Sequence, residues 1–289
     1  MKKFAAACMV VLGIMVVLVV AGFLIMLYQG KQTPTGDPHY VAMGSSFAAG
    51  IGLGPRALGS PVACMRTLNG YPQQLATMIR LPIVDVSCSA ATTRHVLHGG
   101  QYFQPPQLDA LARNTKLVTI TSGGNDIHYI SDLSLIAAGN ARSLMGWLMR
   151  LFWSEPLRPE QRDYDKVRDD LVVYVTQAQR RSPQARIVLV TYPTIFPPSG
   201  TCPRLNISAE QAREMQVVGE QLAAATRAAA EASGALIVDM QRLGVNHHAC
   251  SAAPWVNGWI NAKGAQFHPT LLGAKETAAA IAVSINAQS

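Results

Sequence analysis

Charge is scarce in this chain of 289 residues, of which 14% are charged and 49% hydrophobic. Once the first ~30 residues are set aside, that balance still leaves enough apolar material for one well-buried core. No dense basic tract occurs. The formal charge of +7 comes from 24 basic and 17 acidic residues. Without Lys2, Lys3 and Lys31 the balance is 21 against 17, spread mostly as arginine. A nucleic-acid surface would show as a basic patch with aromatic or motif support, so no nucleic-acid partner is expected. A Cys-x-x-Cys pair and a compact Cys/His cluster are both missing, so no metal site is expected. Internal repeats and low-complexity domains are missing too, and no obligate protein partner is indicated.

One long apolar run is present, and it lies at the N-terminus. Met1-Lys2-Lys3 precedes an uncharged stretch from Phe4 to Tyr28. About twenty apolar residues suffice to span a bilayer as a helix. The run exceeds the ~7–15-residue core of a cleaved signal peptide. No small-x-small cleavage site sits cleanly at its end, where Leu24-Ile25-Met26-Leu27-Tyr28 leads into Gln29-Gly30-Lys31. Residues 1–31 are therefore expected to be a transmembrane signal anchor with a short flank, its two lysines kept in the cytoplasm. Residues 32–37 then form a linker and 38–289 the body. A cleaved signal peptide and a secreted body are the alternative. Both readings place the body outside the cytoplasm, which bears on the cysteines. Of five, Cys8 sits in the apolar run. Cys64, Cys88, Cys202 and Cys250 remain, an even number that permits two disulfides in any of three pairings.

Beyond the linker, β-favouring runs alternate with helical stretches. Strands are expected at 40–43, 82–87, 117–121, 186–191 and 235–239, mostly apolar on both faces, as suits a parallel sheet covered by helices. Helices are expected at 71–80, 161–181, 208–232 and 273–285, the third starting on a capping pattern at Ser208. The expected fold is a three-layer α/β/α sandwich with a five-stranded, mainly parallel, flavodoxin-like sheet. The 135–153 stretch is dense in large apolar residues. It is either a core helix or the wall of an acyl-binding groove or lid built from Trp147, Leu148, Leu151, Phe152 and Trp153.

Three expected strands run into short segments of small and polar residues: Gly44-Ser45-Ser46-Phe47, Cys88-Ser89-Ala90-Ala91-Thr92 and Gly123-Gly124-Asn125-Asp126. Ligand sites of open parallel sheets lie at the C-terminal strand ends, where these loops would converge. His268 precedes the last helix in Phe267-His268-Pro269.

In these ordered blocks the chain resembles the SGNH or GDSL-type serine hydrolases, particularly the secreted actinobacterial lipase/esterase branch with disulfides. The resemblance covers about Tyr40 to Ala280. It implies Ser46 as nucleophile and His268 as its base. It also implies an oxyanion hole made of the Ser46 and Ala90 N–H groups and the Asn125 amide. Gly273 fits the small residue of the following helix. Disulfides Cys64–Cys88 and Cys202–Cys250 are implied as well. Three positions depart from the family pattern. Ser45 replaces the usual Asp, and Ala90 the usual Gly; its methyl disfavours positive φ, so an Ala-compatible loop geometry is expected. Ala265 stands where a carboxylate commonly orients the histidine. A backbone carbonyl can serve instead; that of Ala265 is the expected partner, with Asp239 second and otherwise a cap. Asp126 is expected to anchor its loop, and His247 and His248 to structure theirs. His95 and His98 are expected to be solvated or packed.

The function implied is an extracytoplasmic esterase or lipase that hydrolyses small-molecule or lipid carboxylic esters through an acyl-Ser46 intermediate, with no cofactor. Two alternatives remain open. The same scaffold could run as a cell-envelope acyltransferase or sugar deacetylase, or the protein could be a non-catalytic, membrane-anchored lipid-binding protein.

Overall fold

The computed structural model describes residues 2–32, 36, 38–141, 147, 151, 155–260 and 262–287. Its centre is a sheet of five parallel strands: β1 (Tyr40–Gly44), β2 (Ile83–Asp85), β3 (Leu117–Thr121), β4 (Arg186–Val190) and β5 (Leu236–Val238), in the order β2-β1-β3-β4-β5. Every residue of β1 and β3 is buried, which is why both read as continuous apolar runs rather than alternating ones.

Side chains alternate across a strand, so each strand supplies both faces of the sheet. Val41 and Met43 join Val118, Ile120 and Leu189 on one face; Tyr40 and Ala42 join Val188, Val190 and Val238 on the other. The first face is covered by α4 (Thr93–His98), α5 (Tyr129–Gly139), α6 (Tyr164–Arg181) and α7 (Ala209–Ser233), the second by α3 (Tyr71–Ile79) and α9 (Leu271–Asn286). This is the three-layer arrangement. Two very short helices, α2 (Ser46–Ala49) and α8 (Met240–Leu243), follow β1 and β5 directly.

Local chemistry sets the helix ends. Ser208 accepts from the Gln211 N–H at 3.1 Å while the Gln211 amide oxygen accepts from the Ser208 N–H at 2.9 Å, a reciprocal cap that starts α7. Gly234 stops it at φ 70°. Asp163 and Thr270 cap α6 and α9 through their side chains.

The apolar N-terminal run is a single helix, α1 (Lys2–Gly30). Its segment Met9–Gly30, 22 residues, is long and apolar enough to cross a membrane, and none of its most apolar part is buried in the protein. The helix meets the body at its C-terminal end. The Gln29 side-chain oxygen accepts the Val62 N–H at 2.9 Å, and the rings of Phe23 and Phe103 meet edge to face at 5.4 Å.

The four cysteines of the body form Cys64–Cys88 and Cys202–Cys250. Of the 135–153 stretch, Trp147 and Leu151 are exposed (51% and 57%). Leu148, Phe152 and Trp153 lie outside the described residues.

Candidate active site

The C-terminal ends of β1 and β3 carry two of the polar segments, and their close approach requires glycine. Gly44 has φ 127°, and a Cβ there would stand 2.1 Å from the Thr121 carbonyl oxygen. No L side chain fits, so β1 can turn out of the sheet hard against β3 and deliver Ser46 to the first turn of α2. Gln107 secures this turn, its amide taking the Gly44 N–H at 2.7 Å and donating to the Gly44 carbonyl at 3.1 Å.

Ser46 Oγ lies 2.8 Å from His268 Nε2. The other ring nitrogen, Nδ1, lies 2.7 Å from the carbonyl oxygen of Gln266. A carbonyl can only accept, so Nδ1 carries the proton and Nε2 presents its lone pair to the serine hydroxyl. The expected partner, the Ala265 carbonyl, is not the one used: it accepts the backbone N–H of His268 at 3.3 Å instead. The reason is the backbone at Phe267, which adopts φ 55°. That left-handed residue reverses the chain and swings the Gln266 carbonyl beneath the imidazole. Phe267 is held there by complete burial and by stacking on Trp259 at 6.1 Å. Asp239, the second candidate, caps α8 through the Arg242 N–H and is paired with Arg227 and Arg242.

The histidine loop is further clamped by Asn257, whose backbone and side-chain N–H groups both donate to the His268 carbonyl, at 2.9 and 3.2 Å. Close contacts seat it on the body. A Cβ on Gly52 would stand 2.4 Å from the Ala265 nitrogen, and one on Gly273 would stand 2.0 Å from the Trp255 carbonyl oxygen. Burial pushes the His268 imidazole down from 6.5 to about 4, opposed in part by its bond to Gln266.

Asn125 Nδ2 donates to the Ala91 carbonyl at 2.8 Å, which ties the third polar segment to the second and leaves the second amide proton for another acceptor. Among the described residues, neither the Ser46 N–H nor the Ala90 N–H has a hydrogen-bond acceptor. Asp126 accepts from the Thr93 N–H through both oxygens at 3.0 Å, so it braces the loop. His247 is stacked on Trp255 and His248 accepts from the Cys250 N–H. His95 closes the α4 cap with Thr92.

The geometry of Ala90 departs from expectation. It sits at φ 64°, in the left-handed region, rather than in an Ala-compatible conformation. The loop keeps the shape that a glycine would adopt, at a cost of about 1–2 kcal/mol for a Cβ-bearing residue. Ala90 is exposed, so its methyl has little packing to lose. Ala90→Gly relieves that strain while adding roughly 0.5–1 kcal/mol of unfolded-chain entropy. The expected outcome is a small net gain in stability, seen as a higher urea midpoint at unchanged m-value. A lower midpoint would show that the methyl is packed after all.

Tyr192 has no place in the sequence-based site, yet it joins two of its segments. Its hydroxyl lies 2.9 Å from Ser45 Oγ and accepts the Gly124 N–H at 3.3 Å, while its ring packs on Phe47 at 4.5 Å. Ser45 thus has a buried hydroxyl partner. A Cβ on Gly124 would stand 2.8 Å from the Tyr192 ring, so that glycine makes the contact possible. The one signal in the sequence was position: Tyr192 lies two residues beyond the end of β4, at the same sheet edge.

The chain is similar to known proteins in sequence and in fold. The sequence pattern described as the GDSL-like Lipase/Acylhydrolase family matches residues 42–275. Lipase 2 of Streptomyces coelicolor is 31% identical over 259 residues, covering 86% of this chain and 85% of the relative. The crystal structure of an extracellular lipase from Streptomyces rimosus superposes with a TM-score of 0.67 at 24% identity, covering 86% of this chain and 100% of that one. That of phospholipase A1 from Streptomyces albidoflavus NA297 gives 0.66 at 22% identity over 88% and 100%. At such identities the two structures speak for the fold.

Proposed function

The chain belongs to the GDSL-like lipase/acylhydrolase family and is a carboxylic ester hydrolase, and from that premise we propose that it acts through a Ser46–His268 dyad outside the cytoplasm, anchored by α1. The observation that carries the proposal is the 2.8 Å approach of His268 Nε2 to Ser46 Oγ, with Nδ1 occupied by the Gln266 carbonyl. His268 takes the hydroxyl proton as the oxygen attacks the ester carbonyl. Negative charge develops on the carbonyl oxygen, and the Ser46 and Ala90 N–H groups and the free Asn125 proton receive it. The imidazolium then gives its proton to the departing alcohol, leaving acyl-Ser46. Water, deprotonated by the same histidine, releases the acid.

A serine-directed fluorophosphonate tests the nucleophile. Mass spectrometry is expected to place the adduct on the Ser46 peptide; an adduct elsewhere, or none on active protein, would refute the assignment.

The pH dependence follows from the desolvation of the half-buried imidazole. A general base works unprotonated, so a conjugate-acid pKa lowered to about 4 keeps it competent in mild acid. At pH 5 a histidine of ordinary pKa would be only ~3% neutral, whereas this one would be about 90% neutral. The kcat/KM for a soluble ester is expected to hold level down to pH 5 and fall with a midpoint near 4. A midpoint near 6.5 would mean that water reaches the ring in the working enzyme.

Acyl-chain or lipid esters are the proposed substrates. The relatives named as lipases and phospholipase A1 support this, as does an apolar helix that would hold the site beside a bilayer. The two disulfides fit an oxidising, extracytoplasmic compartment.

A further inference from the structure

The end of α1 is surrounded by exposed apolar side chains. Leu58 is 95% exposed, Val62 56%, Met65 49% and Phe103 40%. They come from two short segments that touch α1, through the Val62 N–H on Gln29 and the Phe103 ring on Phe23. We propose that this collar docks onto the outer leaflet of the bilayer that α1 spans and presents the oxyanion-side lip of the active site to ester substrates resident in that leaflet. The inference rests on the anchoring reading above and extends it.

Depth comes first. The 22 residues of Met9–Gly30 extend about 33 Å, close to the ~30 Å of a hydrocarbon core. Phe23 lies about 10 Å short of Gly30 along that axis. A body residue whose ring touches Phe23 therefore sits at the edge of the hydrocarbon or below it. The body reaches down along the helix rather than hanging beyond its end.

Charge agrees. Asp85 is the sole acidic residue between Pro38 and Leu108, among 17 in the chain, and it is desolvated by the protein. Both collar segments lie within that stretch, so no collar carboxylate repels phosphate headgroups. Interfacial binding scales with apolar area and with attraction to anionic lipid.

Backbone geometry is the third observation. Met65, Tyr102 and Phe103 all adopt positive φ, at 53°, 49° and 62°. Two consecutive aromatic residues in this conformation hold Phe103 outward against its own preference, as structure around a recognition surface does.

The collar is also wired to the site. Cys64, one residue before Met65, is bonded to Cys88, and its carbonyl accepts the Ser89 N–H at 3.1 Å. Gln101, two residues before Phe103, donates to the Ser89 carbonyl at 2.6 Å. The peptide leading into Ala90 is thus gripped by both collar segments.

The test uses the full chain carrying Cys8→Ala, reconstituted in vesicles of phosphatidylcholine and phosphatidylglycerol. Leu58→Cys takes an environment-sensitive NBD label, and Val217→Cys on α7 is the control at an exposed site on a helix of the first face. The expected result is a blue-shifted emission at 58, quenched by shallow doxyl lipids, with water-like emission at 217. If the chain floats with the vesicles but the label at 58 reports water, the collar is overturned and the anchor stands. Failure to float overturns both. A second variant, Leu58→Asp with Val62→Asp, is expected to lower hydrolysis of vesicle-borne phospholipid by about ten-fold or more while leaving soluble acetate ester within about two-fold. Unchanged hydrolysis of both substrates, or equal loss on both, would overturn delivery from the leaflet.

Discussion

Ser46→Ala is expected to reduce hydrolysis of p-nitrophenyl esters by at least about four orders of magnitude, with the fold intact. The size of the loss follows from the chemistry. Removing Oγ removes the atom that forms the acyl-enzyme, and what remains is water attack aided by the oxyanion donors alone, which typically retains ~10³–10⁴-fold over solution. Structurally the change is mild, because Ser46 is 8% exposed and its Oγ pairs with His268 and no other described residue. The measurement is kcat/KM for the full chain in mild detergent, from acetyl to palmitoyl esters, beside the variant. Loss across the whole series would establish the nucleophile, and the preferred length would report how much acyl chain the enzyme holds. Persistent activity in the variant would sink the dyad.

Asn125→Ala carries the second-largest expectation, a fall of about 10²–10³ in kcat, equivalent to ~2.7–4 kcal/mol of transition-state stabilisation. Its amide is already oriented by the Ala91 carbonyl at 2.8 Å, so the donor is preorganised and does not reorganise as charge develops. The loss should therefore fall on kcat and leave KM nearly constant, since the ground-state carbonyl asks far less of the donor. Asn125→Asp, of almost the same shape, replaces the donor by an anion and is expected to be at least as damaging. A large rise in KM at constant kcat would instead make Asn125 a residue of substrate binding.

The strands were legible as apolar runs, most plainly β1 and β3, which are buried throughout, and α7 was marked at its start by the capping chemistry of Ser208. What was harder to read involves backbone direction. The shift from the Ala265 to the Gln266 carbonyl depends on one left-handed residue, Phe267, and no composition rule assigns positive φ to phenylalanine. Ala90 misled in the same way: its residue type argued for an ordinary conformation, but the surrounding loop imposes φ 64°. Tyr192 reaches Ser45 across 147 positions, and only the sheet order brings the ends of β1, β3 and β4 side by side.

By itself, then, the amino-acid sequence determined the layered fold, the apolar helix and the kinds of group available at the sheet edge. These follow from local periodicity, capping and the residue types that ester chemistry needs. Tertiary structure alone decided which carbonyl orients His268, which hydroxyl completes Ser45, and that Leu58, Val62, Met65 and Phe103 gather at the end of α1. Each of these depends on distances between residues far apart in the chain, or on a dihedral angle enforced by packing. Neither quantity is carried by a run of neighbouring residues.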